Sequence, residues 1–476
     1  MSNRSPETPL TWHTRLMRLA RAYLLSFFCF SWGVATIKYE VFPHALIEGP
    51  LRDLGDWLRG PAEGKKLSFL QKFRAEFERE LPHQGDAPIG QTIAESLKPV
   101  RDPQELLKDA KIRLKYTSQR SDGYYLIYLI PFARDAMFGA AVISADGELK
   151  RLIKRPRLNS PRRVLGQGGV TDQGHLIFNS YQHLYVTDLC GQVALKRDRG
   201  RGQFFGQGVG RGFHHKASGA DGVIWTWYAN ELRAYRLRDQ KFIKQHTLLD
   251  LVAANPELPV FEPRLLKSSF HGTFGEWRYD TLKSKKIKRK KLKLADISLP
   301  DPFHQNDVDV LPRALADRFP DFAAGDLLLS FRSINLIVVI DPKTLKVKWY
   351  HSGVFSRQHD PDWGESGEII LYDNRSHYTS SRIIAIDPKT KSVRTLVDGS
   401  KWNFYQFAQG NQHVDAEGRV FFTNNSEAVQ LNRGEIDFYI QYETLKGKPL
   451  DIGTVRFIDE ETYARWTTCD GDAEAR

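Results

Sequence analysis

The feature that most constrains the fold is a repeat of short β-rich segments separated by turn residues. Two neighbouring copies are the most alike: Gly325 to Tyr350 reads GDLLLSFRSINLIVVIDPKTLKVKWY, and Gly367 to Leu396 reads GEIILYDNRSHYTSSRIIAIDPKTKSVRTL. In both, one strand follows a turn glycine, a second ends in Ile-Asp, and the turn Asp-Pro-Lys-Thr leads into a third. This order of strands is typical of a propeller blade.

Four looser copies bring the number of repeats to six, at Gly123 to Ile153, Gly168 to Lys196, Gly222 to His246 and Gly418 to Glu443. We therefore predict an all-β fold, a six-bladed β-propeller over residues 119–460, with an insertion at 251–302. Two stacked β-sandwiches are the alternative. The shared turn at one place in the two best copies favours radial repetition.

Composition limits the other classes. With 41% hydrophobic and 12% aromatic residues, the chain can bury a large core. Its three cysteines, Cys29, Cys190 and Cys469, are too few for a disulfide framework or a Cys-based zinc site. A single bridge between Cys190 and Cys469 is possible in an oxidising compartment.

The formal charge of +12 suggests nucleic-acid binding until its distribution is considered. Eight basic residues lie in Lys283 to Lys293, and four arginines against Glu7 give residues 1–21 a net charge of +3. The rest of the chain is nearly neutral, so we predict no nucleic-acid partner. The lysine-rich run is a solvated loop, a surface that attracts anionic substrates, or a contact with anionic lipid.

The N-terminus predicts a membrane anchor. Residues 1–21 form a basic cytoplasmic segment, and Ala22 to Ile37 carries no charge. Because the small-residue pattern of a cleavage site is poor, we prefer an uncleaved signal-anchor over 22–42 to a signal peptide. The positive-inside bias then makes the protein a single-pass protein of the inner membrane, with its catalytic domain in the periplasm.

Residues 43–118 differ from the repeats that follow. Apolar residues at three- and four-residue spacings, among them Leu67, Leu70, Phe73 and Phe77, predict helices with one buried face. We expect a helical stalk or linker there, and a C-terminal tail at 461–476.

Histidine recurs at one position of the repeat, immediately before the innermost strand of four successive units: His214 with His215, His304, His359 and His413. The corresponding ends of inner strands meet at the mouth of a propeller channel, so these side chains are expected to converge. Any single histidine there is usually an ordinary surface or core residue. A metal cluster is one alternative for the set, but the nearby Arg332 favours an oxyanion, and we predict no metal and no cofactor.

Three motifs resemble those of the bacterial arylsulfate sulfotransferase family. They are HQNDVDVLP, GDLLLSFRSINLIVVIDPKTLKVKW and QHDPDWGESGEIILYDN, and the match is dense over Phe303 to Asn374. The resemblance implies a six-bladed propeller that transfers a sulfuryl group from an aryl sulfate to a phenol without a nucleotide sulfate donor. The chain also lacks the Gly-rich phosphate cradle that a nucleotide donor would need.

The resemblance also implies site residues. His359, in Gln-His-Asp, matches the family's nucleophile and would form a sulfohistidine. Arg332 and His304 match the residues that hold the sulfuryl oxygens. The remaining catalytic histidine is His215 or its neighbour His214, and the sequence leaves the choice open.

Three further side chains are predicted to bind substrate. Asn306 follows His304 in the His-x-Asn motif, and Asn374 ends the strand after the nucleophile motif. His413 is the last of the recurring histidines. His214 also counts as substrate-binding if His215 is the catalytic residue.

The predicted function is a ping-pong transfer in which a histidine carries the sulfuryl group between two phenols. The alternative is a catalytically silent envelope propeller that binds an anionic glycan or a protein partner. The insertion, the stalk and the absence of a cysteine pair near the site depart from the family pattern. The natural sulfuryl donor, the natural acceptor and the oligomeric state are therefore left open.

Overall fold

Six antiparallel sheets correspond to the six repeats in a computed structural model of the chain. The structure describes residues 96–130, 139–154, 168–179, 183–198, 213–228, 230–258, 303–375, 380–402, 404–406 and 409–468, without the side chains of His214, His215 and Leu249. The basic segment 1–21, the anchor 22–42, the stalk up to residue 95 and the lysine-rich run lie outside the described residues.

The strands are short, and most blades use consecutive ones. In chain order they are β1 (Lys98–Pro99), β2 (Ile112–Ser118), β3 (Tyr124–Ile130), β4 (Gly139–Ser144), β5 (Leu149–Lys154), β6 (Gly168–Val170), β7 (Leu176–Asn179), β8 (His183–Thr187), β9 (Val193–Asp198), β10 (Phe213–Ala220), β11 (Val223–Tyr228), β12 (Glu231–Arg236), β13 (Lys241–Thr247), β14 (Gln305–Val310), β15 (Leu327–Phe331), β16 (Leu336–Ile340), β17 (Val347–Ser352), β18 (His359–Trp363), β19 (Ile369–Asp373), β20 (Arg382–Ile386), β21 (Val393–Asp398), β22 (Gln412–Val414), β23 (Val420–Asn424), β24 (Glu427–Asn432), β25 (Glu435–Thr444) and β26 (Asp451–Ile458). Helices in the described residues are α1 (Leu106–Asp109), α2 (Leu248–Ala254), α3 (Gly399–Trp402) and α4 (Glu460–Trp466), with 3-10 turns at Arg313–Arg318 and Arg332–Ile334.

The sheets form a six-bladed propeller, as predicted. The second to fifth blades are β6–β9, β10–β13, β14–β17 and β18–β21, each in sequence order from the channel outwards. The inner strands of neighbouring blades contact one another around the ring. One end of the channel therefore collects the start of every inner strand.

The first blade closes the ring with a strand from the other end of the described chain. Its order is β26-β3-β4-β5, and β26 pairs with β3 from Asp451 opposite Ile130 to Ile458 opposite Tyr124. Closure packs both faces of the first blade against its neighbours, and only the short inner and outer edges of its sheet are left unpaired. The repeat at Gly123 to Ile153 predicted β3–β5 but not β26.

The sixth blade is larger than the others. Its sheet runs β22-β23-β24-β25-β2-β1, and β2 pairs with β25 from Ile112 opposite Thr444 to Ser118 opposite Phe438. The sheet thus includes Ile112–Ser118, so these residues of the predicted helical stalk or linker at 43–118 form a strand instead. Within residues 96–118 the helical part is short, namely α1.

Apolar side chains fill the spaces between blades. Leu327 and Leu329 point into the cluster between the third and fourth blades, whereas Leu328 points into the one between the fourth and fifth. Successive strand residues face opposite sides of a sheet, so a sheet packed on both faces needs an unbroken apolar strand. This explains the runs LLLSF and LIVVI, in which every residue is buried.

The two Asp-Pro-Lys-Thr segments form the predicted turns. In the fourth blade the Asp341 carboxylate accepts the Lys343 N–H at 2.8 Å and the Thr344 hydroxyl at 3.0 Å. Asp387 accepts the Lys389 N–H at 2.8 Å in the fifth blade. An aspartate that caps its own turn explains why the motif recurs.

Two further predictions, the membrane anchor and the disulfide between Cys190 and Cys469, fall only partly within the described residues. None of the helices described here is long and apolar enough to cross a membrane. Cys190 is disulfide-bonded, and its Sγ lies 3.9 Å from the Thr467 carbonyl oxygen. Its predicted partner, Cys469, lies outside the described residues.

Because β26 closes the ring, we expect a charged side chain introduced into its buried face to destabilise the fold strongly. Val455 is 3% exposed, pairs with Ile127 and packs between the sixth and first blades. Val455→Asp should lower the free energy of unfolding by about 3–5 kcal/mol, because the carboxylate is buried without a partner. Val193→Asp makes the same change at a 45% exposed position on the outer strand β9 and should cost no more than about 0.5 kcal/mol. Equal losses in denaturant titrations would contradict this account of closure.

Candidate functional site

The inner strands of the third, fourth and fifth blades are irregular at the end where the predicted site residues lie. The register of β10 shifts between His214 and Ser218, that of β14 between Gln305 and Asp307, and that of β18 between His359 and Asp362. Such bulges turn side chains away from the regular pleat and occur often beside active sites. Here they redirect the side chains that surround one end of the channel.

His359, the first residue of β18, is buried and held through both ring nitrogens. Its Nδ1 lies 2.6 Å from Asn374 Oδ1, and the Gln409 N–H donates to its Nε2 at 3.2 Å. Asn374 in turn donates from Nδ2 to the carbonyl oxygens of Gln406 (2.8 Å) and Gln409 (2.7 Å). Two carbonyls therefore fix which way the amide faces, and its oxygen can only accept.

These contacts determine the tautomer of His359. Because Asn374 Oδ1 is an acceptor, the Nδ1 of His359 carries the hydrogen and donates it. Nε2 then keeps its lone pair, which agrees with its accepting the Gln409 N–H. The ring is thus presented in the tautomer in which Nε2 can act as a nucleophile.

The imidazole is also kept neutral. Burial lowers the pKa of His359 well below its ordinary value, and the positive charge of Arg332 lowers it further. The hydrogen bond to Asn374 raises it, while His304 and Arg357 add to the lowering. At neutral pH the group is a free base beside cationic side chains.

His304 and Arg332 are brought together by the fourth blade. His304 precedes β14 and Arg332 follows β15, and the Arg332 N–H donates to the His304 carbonyl oxygen at 3.1 Å. The Ser333 N–H donates to the Phe303 carbonyl oxygen at 2.9 Å beside it. His359, Asn374, His304 and Arg332 therefore share one site, called here the mouth site.

Asn306 has a different contact from the one expected of a substrate-binding residue. Its side chain is fully buried, and its Nδ2 donates to the Gln358 carbonyl oxygen at 2.7 Å. Gln358 donates from Nε2 to Ser330 Oγ at 3.1 Å and to the Leu336 carbonyl oxygen at 3.0 Å. Asn306 and Gln358 thus tie the backbone before His359 to the fourth blade.

A second polar group lies in the channel and was not found from the sequence. The Lys216 ammonium is 2.5 Å from Asp360 Oδ1 and 2.6 Å from Asp362 Oδ1. Asp307 and Asp309 of β14 also act on it, and burial raises the pKa of both carboxyls. We call Lys216, Asp307, Asp309, Asp360 and Asp362 the channel cluster. The alternating aspartates in DVDV and HDPDW are the pattern in the sequence that could have indicated this cluster.

His413 lies with the channel cluster. Burial and the positive charge of Arg456 lower the pKa of His413 to about 3, with Asp362 and Lys216 as its other charged neighbours. Of the predicted site residues, four lie in the mouth site: His304, Arg332, His359 and Asn374. Asn306 holds the backbone before His359. His413 belongs to the cluster, and the side chains of His214 and His215 lie outside the described residues.

Within the residues that the structure describes, no group of three or more His, Cys, Asp or Glu side chains is arranged to hold a metal ion. In the channel cluster an ammonium stands between the carboxylates.

The sequence profile of the arylsulfotransferase (ASST) family matches residues 173–435, more than half of the chain. The chain belongs to the arylsulfotransferase family. The matched range contains every predicted site residue from His214 to His413, and the family suggested by the three motifs is confirmed. No curated protein matches the chain significantly.

The solved structures that match this chain are distant from it in sequence. A protein of unknown function from Bacteroides caccae is 9% identical and covers 71% of this chain and 100% of its own, with a TM-score of 0.44. A catalytically inactive virginiamycin B lyase from Staphylococcus aureus is 10% identical and covers 73% of this chain and 100% of its own, with a TM-score of 0.38.

The tautomer of His359 can be tested without any substrate. In nitrogen-15 NMR of histidine-labelled protein at pH 7, we expect His359 to show a protonated Nδ1 and an unprotonated Nε2, assigned by comparison with His359→Gln. Asn374→Leu removes the acceptor that selects the tautomer, so its His359 signal should shift towards a mixture. A protonated Nε2 in the wild type would contradict the hydrogen-bond assignment.

His413 should make the protein less stable in acid. The folded pKa of about 3 lies below the value of about 6.5 for an unfolded histidine, so between these values only the unfolded state takes up a proton. From pH 7 to pH 5 the wild type should therefore lose about 1–2 kcal/mol more stability than His413→Gln. Chemical denaturation at the two pH values measures the difference, and identical losses would contradict a neutral, partly buried His413.

Proposed function

We propose that the mouth site transfers a sulfuryl group from an aryl sulfate to a phenol through a sulfohistidine on His359. The observation that carries the proposal is the state of His359: it is neutral, its Nδ1–H is bonded to Asn374, and its Nε2 keeps a lone pair beside Arg332. A neutral imidazole attacks at ordinary pH and can later leave again. Membership of the arylsulfotransferase family supports the same reaction class.

In the first half-reaction, Nε2 of His359 forms a bond to sulfur as the bond from sulfur to the aryl oxygen breaks. The departing phenolate takes one proton, for which His304 is the proposed donor. In the second, the acceptor phenol gives a proton back to His304 and its oxygen attacks sulfur. The bond from sulfur to Nε2 then breaks, so the enzyme returns to its starting state.

The surrounding groups would stabilise the transferred sulfuryl. Arg332 presents a planar guanidinium that can contact two oxygens at once. The Gln409 N–H, which donates to Nε2 in the free site, would turn to a sulfuryl oxygen once the bond to sulfur forms. Fixed donors in a buried site cost little reorganisation, which is why they lower a barrier more than water does.

Asn374 would act throughout the cycle. In the sulfohistidine the imidazole carries positive charge, and the Nδ1–H that Asn374 accepts becomes a stronger donor. An amide oxygen stabilises that charge without neutralising it. The histidine therefore remains a good leaving group, because a carboxylate in the same place would hold the cation more tightly.

We also propose that the propeller works outside the cytoplasm, held to the inner membrane by residues 22–42. The disulfide at Cys190 supports an oxidising compartment. The uncharged segment Ala22 to Ile37 after three arginines supports the membrane attachment.

The proposal predicts a covalent adduct. A brief reaction with nitrophenyl sulfate should add the mass of one sulfuryl group to the peptide that contains His359, and a phenol acceptor should then remove it. His359→Ala should lose the adduct and at least about 10³-fold in turnover. His351→Asn, on the outer strand β17, is the matched control and should keep both.

Arg332 gives a second, graded test. Arg332→Met should lower kcat about 10²- to 10³-fold, because a preorganised cation at the sulfuryl oxygens is lost. The adduct should still form on His359, only more slowly. Wild-type protein that forms no adduct and releases no nitrophenol with any acceptor phenol would overturn the assignment.

A further inference from the structure

Lys216 crosses the channel between blades that are not neighbours. It lies on β10 of the third blade, and both of its ion-pair partners, Asp360 and Asp362, lie on β18 of the fifth. Lys216 is 3% exposed and Asp360 is 1% exposed. A lysine buried to this degree is rare unless it is paired, so the arrangement is a built contact between the two strands.

The ion pair of Lys216 involves Asp360, the residue next to the proposed nucleophile His359. Asp360 has a left-handed backbone, with φ of 52°, inside the bulge of β18. Such a conformation in a residue other than glycine costs about 1–3 kcal/mol and persists when its surroundings over-determine it. Asp360 must therefore be held from outside its own strand.

Three blades supply the restraint. Lys216 of the third blade pairs with Asp360 Oδ1, and the Gln412 N–H of the sixth blade donates to Oδ2 at 2.6 Å. Gln412 Nε2 also donates to the Asp360 carbonyl oxygen at 2.9 Å. On the other side of His359, Asn306 holds the Gln358 carbonyl. The backbone on both sides of His359 is thus fixed by side chains from other blades.

Lys216 is also the one cation among the five residues of the channel cluster. Four carboxyl groups surround it, from Asp307 and Asp309 on β14 and from Asp360 and Asp362 on β18. His413 of β22, Arg456 of β26 and Tyr372 of β19 are further titratable groups that interact with the cluster. Burial lowers the pKa of Lys216, but the four carboxyl groups raise it well above its usual value, so it stays charged.

We infer that Lys216 is a positioning residue for the proposed transfer: by pairing with Asp360 it holds the left-handed bulge that orients the His359 imidazole. This inference rests on the proposed function. Lys216 does not touch the sulfuryl group in this scheme, so it acts on kcat through His359. Removing one partner of a buried ion pair leaves the other charge uncompensated, so Asp360 must take up a proton or move, and His359 is bonded directly to it.

The test compares two lysines. Lys216→Met and Lys348→Met each remove an ammonium that lies 2.6 Å from a buried aspartate, Asp362 in one case and Asp326 in the other. Lys348 lies on β17, the outer strand of the fourth blade. Both variants should be less stable than the wild type. Only Lys216→Met should lower kcat, by about 10- to 100-fold with KM nearly unchanged, as expected for a misplaced catalytic group.

A second readout does not depend on activity. The nitrogen-15 shifts of His359 should move in Lys216→Met and stay in place in Lys348→Met. Wild-type kcat together with unchanged His359 shifts in Lys216→Met would overturn the inference.

Asp360→Asn covers the case in which Lys216→Met fails to fold. It keeps an oxygen that can accept the Gln412 N–H but loses the ion pair with Lys216, and it should show the same change in His359 shifts and kcat. Unchanged values would count against the inference. The two proposals fail separately: a wild type without a sulfuryl adduct refutes the proposed function, whereas the nitrogen shifts still decide whether Lys216 positions His359.

Discussion

The pairing of β26 with β3 is the contact on which the remaining architecture depends. It joins the last strand of the described chain to the first blade and so converts a row of sheets into a ring. Each blade then packs both of its faces against neighbours, and the apolar strands of the repeats become buried on two sides. Without closure, the inner strands of the first and sixth blades would have no common channel to line.

Closure also decides what the inner strands can do chemically. Their ends meet around one channel, where a histidine of the fifth blade comes beside an arginine of the fourth. A buried amide group is costly unless it is hydrogen-bonded, and beside His359 the Asn374 amide is paired through both its oxygen and its nitrogen. This pairing leaves Nε2 with the lone pair. The hydrogen bonds that the buried Asn374 amide needs therefore set the tautomer of the proposed nucleophile, His359.

Two polar layers with different tasks follow from this arrangement. The mouth site is cationic and holds a neutral histidine, which suits an anionic sulfate ester. The channel cluster is acidic and holds an ammonium, and it contacts the mouth site through the backbone of Asp360. The left-handed Asp360 links the layers, because its carboxylate belongs to one and its peptide neighbour, His359, belongs to the other.

Much of this could be predicted from the sequence, because the repeats are local patterns. The apolar runs, the Asp-Pro-Lys-Thr turns and the motifs around His304, Arg332 and His359 each lie within a few residues, and they indicated the six blades and the family. The closing strand β26 has no such pattern of its own, and the pairing of Lys216 with Asp360 joins residues of the third and fifth blades. His413 looked equivalent to His359 by its place in the repeat but lies with the channel cluster. Only the tertiary structure could decide these points, because hydrogen bonds and ion pairs across the channel depend on which strands closure brings together.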